Sequence, residues 1–278
     1  MPTLRRASLP RLLATSCLLP AVGLLAACGA DATSQPVASR IDLNVALGIT
    51  AAQPVGVAVD VDGSRLVLDS AAGLVRLDAA GHGQVVLDPT TLPTTGLPLE
   101  LPITDLVALG DGRFALTAIG DGYVLDLGAR TLAQFFCYVP DGLPVDERQR
   151  TDAVAFDPVA GRLYAQPRTT TTDGTFVRSE VSSYDSGTGA DLTWDLLPGQ
   201  FTAGGMVAPG DGSLVLGAGT TLHRYDLATA AVTPLDDLAR FGVGAIDGLA
   251  LDPAGHTLII VDAATASLVE IALDDLTL

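Results

Sequence analysis

Short apolar runs of four to eight residues recur along the chain from about residue 41 onward, bounded by glycine and aspartate turns. This is the pattern of strands rather than of amphipathic helices. Five of the runs share a wording with alanine at the centre: Gly56-Val-Ala58-Val-Asp60, Leu106-Val-Ala108-Leu-Gly110, Ala153-Val-Ala155-Phe-Asp157, Met206-Val-Ala208-Pro-Gly210 and Gly248-Leu-Ala250-Leu-Asp252. The alanines stand 50, 47, 53 and 42 residues apart, the length of a four-stranded repeat rather than of a hairpin. Each run leads into a glycine turn (Gly63, Gly112, Gly161, Gly212, Gly255) and then a second apolar run. Repeats of this length and strand content predict an all-β chain folded as a single β-propeller.

Dividing the repeats into strands gives four blades of four strands and a fifth that ends one strand short, after 267–273. The alternating segment Ile41–Leu47 is left over and is expected to supply the missing outer strand, closing the ring and removing its free edges. Five blades are therefore expected. Six would require strands within 88–102, which is rich in proline and threonine. The repeated alanine fits inner strands that crowd around an axis, where a larger side chain would force blades apart. Asp-Gly and Ala-Gly pairs between the first and second strands supply the positive φ of tight hairpins.

The first 27 residues read as a signal peptide, 28–39 as a tether, and 40–278 as the propeller domain. Arg5, Arg6 and Arg11 precede a 16-residue uncharged run, Leu12–Ala27, which is short of the about 20 residues that span a bilayer. It ends in Leu25-Ala26-Ala27-Cys28, which resembles the lipobox of bacterial lipoproteins and implies acylation at Cys28. The expected location is the bacterial cell envelope, with membrane attachment through lipid and, because Gly29 rather than aspartate follows Cys28, the outer membrane favoured. Cys137 is then the one cysteine left in the folded domain, so no internal disulfide is expected.

Net charge is −17, and all 15 basic residues are arginine. Without lysine there is no Schiff-base or phosphate-loop lysine chemistry, and an acidic chain is a poor partner for nucleic acid. His82, His223 and His256 fall at unrelated blade positions and form no metal triad. No nucleophile elbow occurs, so no catalytic residue is assigned.

The stretches Pro54–Asp69 and Ile246–Asp262 resemble NHL-type repeats, and the same wording is shared by the gluconolactonase/senescence-marker superfamily of propellers. That resemblance implies a metal at the channel mouth, held by glutamate, asparagine and aspartate. In this chain, three positions before each repeated alanine stand Val55, Asp105, Asp152, Gly205 and Asp247, and the lone asparagine is Asn44. Asp105, Asp152 and Asp247 are candidate ligands for calcium, which takes six to eight oxygens. The other reading is that each aspartate caps its own loop. The longest departures from the repeat are Pro89–Pro102, Asp141–Thr151 and Thr169–Thr175, with Asp146, Glu147, Arg148, Arg150 and Asp173 as candidate binding-face residues. The leading functional expectation is a non-catalytic binding propeller taking an envelope protein, a glycan or a small ligand. The alternative is a calcium-dependent lactonase or hydrolase of the gluconolactonase type.

Overall fold

A computed structural model describes residues 38–78, 80–92, 94–95, 99, 102–137, 144–252 and 254–276. The signal segment and Cys28 lie outside the described residues. The described residues open with strand β1 (Ser39–Asp42) and a one-turn helix α1 (Leu43–Leu47). Blade one follows as β2 (Pro54–Val59), β3 (Arg65–Asp69), β4 (Gly73–Leu77) and β5 (Gly83–Leu87). A two-residue strand β6 (Thr94–Thr95) precedes blade two, which is β7 (Asp105–Gly110), β8 (Arg113–Thr117), β9 (Asp121–Asp126) and β10 (Thr131–Cys137). Blade three is β11 (Glu147–Asp157), β12 (Arg162–Thr171), β13 (Phe176–Asp185) and β14 (Asp191–Leu196). Blade four is β15 (Gly205–Val207), β16 (Ser213–Ala218), β17 (Thr221–Asp226) and β18 (Val232–Asp237). Blade five is β19 (Ile246–Leu251), β20 (Thr257–Asp262) and β21 (Ser267–Ala272).

Among the described residues there are five sheets, each an antiparallel meander, and the expected five-bladed propeller is what forms. The inner strands β2, β7, β11, β15 and β19 each touch the next, and β19 returns to β2, so the ring is closed. Among the described residues of 88–102 no sixth blade arises: β6 only adds alongside β10, in parallel.

Both faces of every blade pack against a neighbour, which is why the strands read as continuous apolar runs. Along β3, Leu66 and Leu68 enter a cluster with Leu106, Phe114 and Leu116 of blade two. Val67 between them points the other way, into a cluster with Ile259, Val261 and Leu268 of blade five. The core is thus a set of wedges between blades rather than one central mass. Of the repeated alanines, Ala58, Ala155 and Ala250 are buried.

Closure by the N-terminal segment occurs as expected, with a shorter strand. β1 pairs antiparallel with β21, from Ser39 opposite Glu270 to Asp42 opposite Ser267. Residues 43–47, expected to continue the strand, form α1 instead. Asp42 caps it by accepting the N–H groups of Asn44 and Val45, and Gly48 ends it at φ 66°. A good cap at each end overrides the two-residue alternation of this segment. Arg40 locks the joint, donating to Asp262 Oδ2 at 3.1 Å, Thr265 Oγ1 at 2.7 Å and the Gly242 carbonyl at 2.8 Å. Across the same seam Arg65 of blade one pairs with Glu270 of blade five.

Candidate functional site at the channel mouth

The column Val55, Asp105, Asp152, Gly205 and Asp247 lies where the inner strands begin, and a shared irregularity places it. Val55, Asp152 and Asp247 are each the extra residue at a register shift: between Pro54 and Gly56, Thr151 and Ala153, and Ile246 and Gly248. In blade two, Thr104 N–H bonds the Thr117 carbonyl although Asp105 is the residue paired with Thr117. In blade four Gly204 N–H bonds the Gly217 carbonyl although Gly205 is paired with Gly217. Two residues thus oppose one at the head of every blade. A β-bulge of this kind bends the strand and re-aims a side chain.

The three aspartates meet electrostatically but have different tasks. Asp105 is fully buried. Its Oδ1 accepts Leu106 N–H at 2.8 Å, and its Oδ2 accepts Val154 N–H of blade three at 3.0 Å. Burial pushes its carboxyl well above the ordinary carboxylate range, against those two N–H bonds, and the charge of Asp247 adds to the rise. Asp152 is held by two arginines: Arg168 Nη2 donates to Oδ1 at 3.2 Å while Nε faces Oδ2 at 2.5 Å, and Arg150 Nε stands 2.9 Å from Oδ1. Asp247 is half-buried. Burial, opposed by Arg150 and reinforced by Asp152, pushes its pKa up to about 6.

The candidate binding-face residues gather in one place, Asp146 and Asp173 in turns as expected and Glu147, Arg148 and Arg150 in strand rather than loop. β11, β12 and β13 run for 11, 10 and 10 residues, where inner, second and third strands elsewhere run for three to six. Blade three therefore rises about 15 Å above the rest of the face, at about 3.3 Å per residue. Glu147, Arg148 and Arg150 lie within β11, so the expected loop from 141 to 151 is strand from 147, and 141–143 fall outside the described residues. The expected loop 169–175 is strand through Thr171. At its tip Asp173 accepts Thr175 N–H at 3.1 Å and the Thr171 hydroxyl. Asp146 sits beside it, its carbonyl accepting Thr172 N–H at 2.6 Å.

One face of this extension carries Arg148, Arg150 and Arg168, since Arg150 stands directly opposite Arg168 across the strand pair. The other carries Glu147, Arg178 and Glu180, with Arg178 bonded to Glu147 at 3.3 Å and to Glu180 at 2.7 Å. Arg168, which holds Asp152, is the mouth side chain that sequence reasoning missed. Its signal was the run Thr169-Thr-Thr-Thr172, β-branched residues that favour strand over loop. Beside the mouth, between blades one and two, lies a cavity of about 460 Å³ lined by Val55, Asp69, Ser70, Asp88, Thr90 and Ile103 among others.

Asp105, Asp152 and Asp247 do not fit calcium in this arrangement. Both oxygens of Asp105 are taken by backbone N–H groups and both of Asp152 by guanidinium groups, which leaves Asp247 alone. Among the described residues no group of three or more His, Cys, Asp or Glu side chains is placed to share a metal ion. Two arginines in the same mouth also oppose a dication. The capping role expected as the other reading does describe Asp105, except that it reaches the next blade as well as its own.

No protein-family model matches this sequence, and no curated protein does. Solved structures resemble the fold. A gluconolactonase from Xanthomonas campestris matches with a TM-score of 0.51 at 17% identity, covering 79% of this chain and 72% of that one. The calcium-binding protein regucalcin from Agrobacterium tumefaciens gives 0.47 at 14% identity, over 80% and 90%. A luciferin-regenerating enzyme gives 0.48 at 13% identity, over 85% and 80%. At 17% identity the likeness to the gluconolactonase speaks for the fold alone, a five-bladed β-propeller.

Proposed function

We propose that this chain is a gluconolactonase-like propeller of the bacterial cell envelope that hydrolyses a small hydroxylated cyclic ester, a lactone of the sugar-acid class, at the channel mouth. The observation that carries the reading is that Arg150, bonded through Nε to Asp152, also lies near enough to Asp247 for its charge to lower that carboxyl's pKa. Among the described residues Asp247 accepts no hydrogen bond, and Arg150 commits only Nε, to Asp152. The mouth therefore offers the uncommitted Nη groups of the Arg150 guanidinium near a carboxylate that, among the described residues, accepts no hydrogen bond. A ligand with a carbonyl or carboxylate oxygen for Arg150 and a hydroxyl for Asp247 satisfies both.

The chemistry follows from those two groups. With its pKa near 6, Asp247 is largely ionised at neutral pH and takes a proton from water as that water attacks the ester carbon. Arg150 donates to the carbonyl oxygen as negative charge develops on it. The ring C–O bond then breaks, and Asp247 returns its proton to the departing ring oxygen, leaving a hydroxy acid. In this reading Arg168 acts through Asp152, fixing the carboxylate that orients Arg150, and is a positioning residue.

A second reading, binding without turnover, is favoured because among the described residues no nucleophile is paired with a base. A panel of aldonolactones assayed by acid release, with added calcium and with chelator, separates the two. Hydrolysis that persists in chelator and is lost in Asp247→Asn, with product binding retained, supports the enzyme. Binding without turnover supports the second reading, and neither binding nor turnover overturns both. Envelope anchoring has its own test: Cys28→Ser should abolish acyl labelling, and unchanged labelling would refute it.

A further inference from the structure

We infer that the cavity between blades one and two is a second binding site, built for a small primary amine with an apolar body. Its volume of about 460 Å³ falls within the about 300–1,000 Å³ of ligand pockets. Val55, Leu68, Pro102 and Ile103 give it an apolar wall, of which Leu68 and Ile103 are buried. Of the mouth column it touches only Val55, so the site stands whether or not Arg150 and Asp247 hydrolyse a lactone.

The polar side chains that line it offer acceptors only, because their donors are already committed. Ser70 gives its hydroxyl to the Gln53 carbonyl and to Gln53 Oε1, at 3.2 and 3.0 Å. Thr90 gives its hydroxyl to Asp88 Oδ1 at 2.7 Å. The neighbouring backbone donors are taken as well: Ser70 N–H by the Gln53 carbonyl, Ala71 and Ala72 N–H by Asp69 Oδ1, and Thr90 N–H by Asp88 Oδ1. Asp69 has its second oxygen on Gln53 N–H. What remains is the lone pairs of the two hydroxyls and Asp88 Oδ2, which accepts no hydrogen bond among the described residues.

Charge and hydrogen bonding name the same occupant. Asp69 and Asp88 line the cavity and no arginine does, in a chain of net charge −17, so a cation is drawn in and an anion is repelled. An ammonium carries three donors and no acceptor, the complement of Asp88 Oδ2, Ser70 Oγ and Thr90 Oγ1. A carboxylate has the wrong sign and finds no donor among these side chains, and an alcohol brings one donor without charge. Asp88 is exposed, so its ion pair alone adds little affinity. Burial of the apolar body against Leu68 and Ile103 supplies most of the affinity, and the ammonium supplies the selectivity.

Probes of one shape and different head groups test this. Cyclohexylmethylamine, cyclohexylmethanol and cyclohexanecarboxylate are titrated by calorimetry into the full chain held in zwitterionic nanodiscs, with empty discs as the blank. The amine should bind about fivefold tighter than the alcohol, the factor that an exposed ion pair of about 1 kcal/mol gives, and the carboxylate should not bind. Added salt should weaken binding of the amine and leave the alcohol unchanged. Asp88→Asn should bring the amine down to the affinity of the alcohol. Ala71→Trp, which fills the cavity, should abolish binding of both. Ala71 and Asp88 are exposed, so both variants should melt with the wild type. No binding of the amine by the wild type, equal binding of amine and alcohol, or tighter binding of the carboxylate would overturn the assignment. Amine binding untouched by both substitutions would put the amine elsewhere on the chain and overturn it as well.

Discussion

Asp105 of blade two accepts the backbone N–H of Val154, on the inner strand of blade three, at 3.0 Å. With its other oxygen on Leu106 N–H, this buried carboxylate ties two inner strands together. Asp105→Ala should strand both donors away from water and cost about 3 kcal/mol, at about 1–3 kcal/mol for each unsatisfied group. Asp105→Asn keeps one acceptor and should cost less. Burial raises the Asp105 pKa, so the folded state holds this proton more tightly than the unfolded chain. Stability from the group is full below the unfolded value of 3.8 and is lost as pH rises through the folded value. Urea unfolding between pH 4 and 7 should show that decline in the wild type and a shallower one in Asp105→Asn. Equal slopes would mean that Asp105 is not the group responsible.

The titration of Asp247 provides a second test, independent of turnover. Carbon-detected NMR of its carboxyl should follow a transition near pH 6. Arg150 is what holds that pKa down against burial, so Arg150→Met should move the transition to higher pH. If the chain hydrolyses a lactone as proposed, the rising limb of its pH–rate profile should move in the same direction. A transition unmoved by Arg150→Met would separate the two side chains and remove the basis of the proposed site.

Arg40 fastens the ring. Its partner Asp262 is fully buried. Burial works to raise the Asp262 pKa, but bonds from Thr265, Ala245, Arg40 and Gly244 outweigh it and hold the carboxyl below its usual range. Its contribution to stability is therefore present above the unfolded value and lost as pH falls through the folded one. Arg40→Ala removes one of those partners and should cost about 2 kcal/mol, less than the about 3–5 kcal/mol of a fully buried pair because Arg40 is partly exposed. Thermal melts of Arg40→Ala and of a chain shortened to begin at residue 43 should both show lowered midpoints, the truncation more so. An unchanged midpoint would mean that β1 is dispensable for closure.

The architecture was legible because its cause is local. An alanine-centred run, a glycine turn and a second apolar run recur five times, and each copy is a complete instruction for the inner half of a blade. The mouth was legible in position and not in role. Asp105, Asp152 and Asp247 stand in one sequence column, yet what each carboxylate does depends on Val154 of the next blade, on Arg168 of the next strand and on Arg150 beside it. The extension of blade three looked like loop because Glu147–Arg150 is wholly polar. It is strand because Thr169–Thr171 lies opposite and completes the ladder. Residues 43–47 failed in the opposite sense: their alternation is real, but Asp42 and Gly48 cap a helical turn.

Gly205 bears on both the ring and the mouth. It occupies the same column as the aspartates, and a Cβ placed there would stand 2.6 Å from the backbone nitrogen of Leu249 in blade five. Backbone of the next inner strand cannot yield as a flexible side chain can, so blades four and five would have to part. Overpacking of this kind costs about 1–3 kcal/mol, and Gly205→Ala should fall at the upper end, about 3 kcal/mol. Gly212 is the control. It has φ +84°, and a methyl group added there would meet nothing within 4 Å, so Gly212→Ala carries only backbone strain, about 1–2 kcal/mol. Beyond stability, Gly205→Ala displaces the strand that carries Asp247, whereas Gly212→Ala lies in a hairpin at the far end of its blade. Calorimetric melts together with the Asp247 titration therefore distinguish the two variants. Gly205→Ala should lower the melting temperature more and also shift the Asp247 transition, while Gly212→Ala should leave that transition in place. Equal melting temperatures with an unmoved transition in both would show that the inner strands of blades four and five are not in close contact.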